Sequence, residues 1–482
     1  MERFESITTR ALQACLLLMA FAAPISIAAT QTAWGFALLF WIIRAVAVRP
    51  RVRPAAFDLA VLAFVGLSLI SSVFSYEPRV SLGKMAAVSL VTIVYLFAGN
   101  LSDKRMLDRV LVLLLAGCFA ACLFAFGTFA VGKNLKLVRL ADDSPLRMAD
   151  IKENDTILKA AGRQVASPEQ LAAAIAQMPG QAVPIEGYRH ELLYTTNIVF
   201  PSSDVSSLGI LDWSRGRDTR ASGFYGQYVT FAEVLQLLTS LGLGLFLLAD
   251  GSIFRGKRLL LLIAVTAFAA ALFLTITRAS WLAFLVSAGV MLLIAARPRT
   301  LLILAACAVP LIVGGLIYLQ QKRQVNFFDS ADDSTAWRLT IWHEALNVIV
   351  LSPRHLAVGI GMDSVKTHWQ DWQMFDNGRR PLGHMHSTPL QFAFERGIPA
   401  LAAWIVWMFI YLKLLWSHVR RKDLPWPGRG MVPGALGGTV GFLTSGLVHY
   451  NWGDSEVVMV FYIIMGMSLA VIRRSETADG LC

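Results

Sequence analysis

Charge is what this sequence has least of. Only 16% of its 482 residues are Asp, Glu, Lys or Arg, while 56% are hydrophobic and the mean hydropathy is +0.58. A soluble domain of this length does not need so much apolar material to fill its core, so an integral membrane protein is expected. Cysteine is scarce as well. Cys15, Cys118, Cys122 and Cys307 sit inside apolar runs and Cys482 is the last residue. Without a CxxC pair or an even extracellular set, neither a disulfide framework nor a thiol site is indicated. Long basic blocks are missing too: the net charge of +11 is spread in short clusters between apolar runs. That distribution argues against a nucleic-acid partner and makes charge a marker of orientation.

What the chain has is long apolar runs, twelve of them, near 11–29, 32–48, 57–74, 85–99, 109–131, 229–249, 258–275, 279–296, 300–318, 398–417, 431–449 and 454–472. All but the short second and fourth are of a length to cross about 30 Å of hydrocarbon, so an all-α polytopic membrane protein of about twelve transmembrane helices is predicted. With a cytoplasmic N-terminus, the inner loops carry twenty basic residues, against three in the short outer loops, Arg79, Lys84 and Arg278. The positive-inside rule then places both termini in the cytoplasm. The chain divides into five segments: helices 1–5 over 1–131, an outer loop over 132–228, helices 6–9 over 229–318, a second outer loop over 319–397 that is largely helical, and helices 10–12 with a cytoplasmic tail over 398–482. The turns Tyr76 to Lys84, Thr277 to Ser280 and Tyr450 to Gly453 face the same side as the two long loops.

Within the first long loop, a turn at Ser144-Pro145, a strand ending at Leu158, a turn at Gly162, a helix from Pro168 to Gln177 and a strand over 181–186 are predicted. Asn154-Asp-Thr-Ile-Leu158, Gly162-Arg-Gln-Val165 and Ser167-Pro168 resemble a PDZ domain over about 135–195. No Gly-Φ-Gly-Φ loop precedes them. A small α+β insert that docks or spaces, with a protein partner of its own, fits this better than a peptide receptor. In the second loop, Trp337 to Val350 repeats apolar residues at Leu339, Trp342, Leu346 and Ile349. It should form a helix lying on the outer leaflet or capping the bundle. His343-Glu344 begins like a zinc motif, but position 347 is Asn and the motif fails.

Several polar residues stand at the predicted outer edge. His384 and His386, two apart, would share a face if the strand is extended; a metal site needs a third ligand, and none stands at a plausible spacing, so no metal is expected. A neutral imidazole is suited to act as general base on a hydroxyl, or else is a hydrogen-bonded interfacial histidine. Arg278, in a short gap between two apolar runs, either snorkels to headgroups or binds phosphate through its planar fork. Arg220 lies among Gly223, Gly226 and the sixth span, with Arg215 nearby; it is either a solvated flank or a ligand. His449 ends the eleventh span, and Asp454 and Glu456 follow. Either acid is placed to orient the histidine, while Asp454 is equally suited to cap a helix.

Taken in order, Ser75-Tyr-Glu-Pro-Arg-Val-Ser-Leu82, Arg220-Ala-Ser-Gly-Phe-Tyr-Gly226, Thr275-Ile-Thr-Arg-Ala-Ser-Trp-Leu282, Arg338-Leu-Thr-Ile-Trp342, Gly359-Ile-Gly361, His386-Ser-Thr-Pro-Leu390 and Glu395-Arg-Gly397 resemble the O-antigen ligase family, with its O-antigen polymerase and protein O-oligosaccharyltransferase relatives. The resemblance implies a GT-C-like bundle in the bacterial inner membrane. It implies metal-independent, inverting transfer of a glycan from an undecaprenyl diphosphate carrier to a hydroxyl of lipid A core, a polysaccharide or a protein, with no cofactor. Carried over, His386 would be the base and Arg220 and Arg278 would hold the diphosphate. His384, Arg338, His449 and Arg215 are further substrate-binding candidates. A transporter would use the same residues to line a path, and a membrane scaffold would use the insert alone. Against the transporter stand the few ionisable residues inside the spans and the lack of an inverted repeat.

Overall fold

The computed structural model describes residues 2–48, 55–101, 103–189, 192–216, 220–295, 333–421 and 423–478. The described residues form two compact units, one holding those within 2–122, 222–295 and 333–478 and the other those within 123–221.

In the first unit, eight described helices are long and apolar enough to cross a membrane: Ile27–Ala47, Ala56–Val73, Pro78–Asn100, Lys104–Val131, Tyr228–Leu247, Gly256–Leu274, Thr388–His418 and Ser455–Glu476. The predicted runs at 11–29 and 279–296 correspond to the shorter apolar helices Ile7–Ala22 and Arg278–Ile294. The run at 431–449 becomes the helix Gly428–Ser445, and the predicted ninth span, 300–318, lies outside the described residues. Two boundaries move. Pro78 opens a helix, so the predicted turn from Tyr76 to Lys84 is helical over its second half, as a proline at the first helical position favours. The span predicted to begin at 398 is the second half of a longer helix that begins at Thr388.

Glycine sets the closest packing. Gly430, Gly434 and Gly438 face Gly244, Leu241 and Ser240 of the Tyr228–Leu247 helix. A Cβ on Gly434 would lie 2.9 Å from the Leu241 carbonyl oxygen. Small residues let two backbones approach where water-driven association is absent. The Tyr228–Leu247 helix is buried nearly all round, including Glu233, Gln236, Thr239 and Ser240.

The helix Asp333–Val350 exists as expected. Ile341, Ala345, Val348 and Ile349 are buried against Ile360, Phe375, Met385 and Phe394, while Leu339 and Leu346 are more than half exposed. The helix is apolar on two sides, and spacing alone could not say which side finds a partner. Glu344, the second residue of the failed zinc motif, accepts hydrogen bonds from the Phe375 and Asp376 amides at 2.7 and 3.0 Å.

The second unit holds a six-stranded antiparallel sheet in the order β5-β4-β2-β1-β6, with β3 paired to β2. The strands are β1 Asn134–Leu140, β2 Thr156–Ala160, β3 Arg163–Gln164, β4 Ala182–Arg189, β5 Leu192–Val199 and β6 Ile210–Gly216. Their inward residues, Leu135, Leu137, Ile157, Val183 and Ile185, pack on Leu171 and Ile175 of the helix Pro168–Ile175. Ser167 caps that helix through the Gln170 amide, as serine before proline is suited to do.

Candidate functional site

The site is built around a break. In the helix Thr388–His418, Gly397 leaves the helical region at φ 80, ψ 169. Pro399 has no N–H with which to serve the Glu395 carbonyl one turn back. In a membrane segment such a carbonyl must be satisfied by its neighbours. The Phe394 carbonyl accepts from the Ile360 amide at 3.0 Å and the Glu395 carbonyl from the Gly361 amide at 2.8 Å, with Ser71 Oγ donating to Glu395 O at 2.9 Å. Gly359 permits this approach, because a Cβ there would lie 2.3 Å from the Glu395 carbonyl carbon.

The loop leading into the broken helix is fixed at several points. The Met385 amide donates to Gln391 Oε1 and its carbonyl accepts from Trp342 Nε1, both at 2.7 Å. The Thr388 amide donates to the carbonyls of Gly446 and His449, and Thr388 Oγ1 to Asn451 Oδ1 at 2.8 Å. Between these anchors His386 adopts φ 48, a left-handed conformation that costs a non-glycine residue energy and tends to mark working sites. Its ring lies 4.3 Å from that of His384 and 4.7 Å from Trp337, and its amide donates to His384 Nδ1 at 3.2 Å. Burial first, then the neighbouring His384, Arg338 and His449, push His386 down to about 3. Burial and His449 push His384 down to about 4. Both imidazoles are therefore neutral at physiological pH.

These residues line a cavity of about 800 Å³ within the first unit, together with Arg338, His449, Glu233, Asp454, Arg396 and Tyr450. That volume suits a small-molecule or sugar site. His449 Nδ1 lies 2.8 Å from Glu233 Oε1, whose side chain is 2% exposed. The acid that orients this histidine is thus Glu233, on a different helix, and neither Asp454 nor Glu456 as the sequence suggested. Asp454 instead accepts from Thr230 Oγ1 at 2.5 Å, and burial followed by its hydrogen bond with Glu456 pushes its carboxyl above the usual range. Lys84 and Lys366 both pair with Asp363, at 2.8 and 3.0 Å. Glu233 was missed because it lies within an apolar run. An ionisable residue inside a spanning segment is itself the signal that could have found it.

The expected site residues do not all meet here. His384, His386, Arg338 and His449 share the cavity, whereas Arg278 is not among the residues lining it. Arg278 opens the helix Arg278–Ala295 and is half-buried. Just before it, Ile276 takes φ 53, an uncommon conformation for a β-branched residue. Trp281 Nε1 closes the turn on the Leu272 carbonyl at 2.9 Å. Arg220 and Arg215 belong to the other unit, Arg220 half-buried and Arg215 exposed on β6. Among the described residues, no group of three or more His, Cys, Asp or Glu is arranged to hold a metal ion.

No curated protein matches the chain. Residues 261–405 match a family model described as O-antigen ligase. The match runs from before Arg278, through Arg338 and the Gly359–Gly361 clasp, to the loop of His384 and His386 and the broken helix. Over this stretch the chain is similar to the O-antigen ligase family, and its many apolar helices make it a multi-pass membrane protein.

Proposed function

We propose that the protein is an inner-membrane glycosyltransferase that moves a glycan from an undecaprenyl diphosphate carrier to an acceptor hydroxyl on the periplasmic face, lipid A core being the acceptor in an O-antigen ligase-like reaction. The acceptor oxygen attacks the anomeric carbon as its proton passes to His386. The bond from that carbon to the diphosphate oxygen breaks, the carrier leaves as undecaprenyl diphosphate, and the configuration inverts. The departing charge of the diphosphate calls for cations such as the sequence candidates Arg278 and Arg220, the first of which lies in the same unit as the cavity. His384, Arg338 and His449, which line the cavity, position the substrates. The observation that carries this reading is the pair of neutral imidazoles, both within the stretch that matches the family, in a cavity of about 800 Å³. A base at about 3 is a weak proton acceptor. An incoming diphosphate supplies the negative charge that raises it.

The His449–Glu233 pair favours a second assignment of the base, since a carboxylate on Nδ1 fixes the tautomer and stabilises the imidazolium that proton transfer would create. Transfer assays with purified protein and a lipid-linked glycan separate the two. With His386 as base, His386→Ala loses about 10²–10⁴-fold in rate and His449→Ala loses less; the reverse order moves the role to His449. Acceptor analysis in a deletion strain distinguishes ligase from polymerase or protein glycosyltransferase, since one fold serves several acceptors. The sheet unit acts in this reading as a PDZ-like docking or spacing module.

A further inference from the structure

Arg396 is the last residue before the break in the helix Thr388–His418, and its side chain lines the cavity. The residue is only 6% exposed. Its guanidinium carbon sits 4.5 Å over the Phe392 ring and 5.2 Å over Phe64. Two aromatic faces attract a cation but accept no hydrogen bond in the plane of its donors. Among the described residues, neither Nε nor Nη1 has a hydrogen-bond partner. Arginine cannot shed its proton, so the charge stays whatever the pH. Lys84 and Lys366, which line the same cavity, share the carboxylate of Asp363. The neighbouring Glu395 turns one oxygen to the Asp363 amide, at 2.8 Å. A buried, permanent cation with two unpartnered donors, in a residue at a cavity wall and beside one carboxylate, that of Glu395, is costly unless something else completes it.

We propose that Arg396 is an oxyanion-binding residue of the cavity, docking a phosphate or carboxylate group of the bound substrate. The proposal rests on the reading of this cavity as a glycan-transfer site, where a carrier brings a diphosphate and acidic sugars bring carboxylates. Arg396 is separated from the imidazoles by a run of ring contacts, Phe392 to Tyr450 at 6.3 Å and Tyr450 to His384 at 5.5 Å. It therefore binds and positions substrate and does not take part in the proton transfer.

The test measures thermal unfolding of the purified full chain in nanodiscs with undecaprenyl diphosphate, D-glucuronate or neutral D-glucose. The wild type is expected to be stabilised by one or both oxyanions and not by glucose. Arg396→Met, which removes the charge and keeps the length, is expected to unfold at a higher temperature without ligand and to need at least about tenfold more oxyanion for the same shift. Should Arg396→Met fail to fold, Arg396→Lys, which keeps the charge but not the planar fork, is expected to weaken the response in the same direction. A response to the lipid alone assigns the carrier headgroup, and one to glucuronate alone an acidic sugar. The proposal is overturned if no oxyanion stabilises the wild type, or if the variant responds as the wild type does. Because the measurement needs no turnover, a failed transfer assay would count against the proposed reaction and not against this site.

Discussion

His384 and His386 bind protons less readily in the folded protein than in the unfolded chain, held at about 4 and about 3 against an ordinary value of 6.5. The stability they contribute is present in full above pH 6.5 and is lost as the pH falls toward those lower values, because the unfolded chain then takes up protons that the fold refuses. Unfolding temperature should drop between pH 7 and pH 5, and His384→Gln with His386→Gln should flatten that drop. Parallel curves for the two proteins would contradict the assignment. Glu233→Gln addresses the other imidazole. It keeps the side chain's shape but removes the charge facing His449 Nδ1 at 2.8 Å. Transfer is expected to fall on the order of tenfold or more, since a hydrogen bond to a charged group contributes about 1.5–3 kcal/mol, with a changed pH profile as the sign that more than packing was lost.

The broken helix carries the next prediction. Gly359→Ala should destabilise by on the order of 1–3 kcal/mol and impair transfer, because its new Cβ would meet the Glu395 carbonyl carbon at 2.3 Å and its φ of 68 suits glycine. Gly289→Ala, inside a regular helix with open space around it, should leave transfer unchanged and cost no stability. At this scale the sequence was legible where one property dominated. Long apolar runs became helices at nearly the expected bounds, and Ser167-Pro168 opened a helix where it should. Where two properties competed it was not. The helix Asp333–Val350 is apolar on two sides, and of the residues whose spacing predicted it Ile349 is buried while Leu339 and Leu346 are exposed. The boundary predicted at 398 falls on the break at Gly397; what the sequence hid is the helical stretch before it, from Thr388, whose last carbonyls are met by amides of Ile360 and Gly361, more than thirty positions earlier. Glu233 was hidden by the apolar run that surrounds it, although its partner His449 was already a candidate.

For the whole molecule, the loop charges predict one orientation, with both termini in the cytoplasm and the histidine cavity opening to the periplasm. Single cysteines at Gly383 and at Arg420, introduced one at a time, should react with an impermeant thiol reagent from opposite sides of the membrane. Labelling of both from one side would remove the topology on which the proposed reaction depends. The claim above all others is that this cavity transfers a glycan from a lipid diphosphate. Its most direct test is a reconstituted assay with purified wild type and His386→Ala, an undecaprenyl diphosphate-linked glycan and lipid A core. The wild type is expected to release undecaprenyl diphosphate and form the glycosylated acceptor with an inverted linkage, while the variant does so at least about 10²-fold more slowly. Equal product from both proteins, or retention of configuration, would contradict the account.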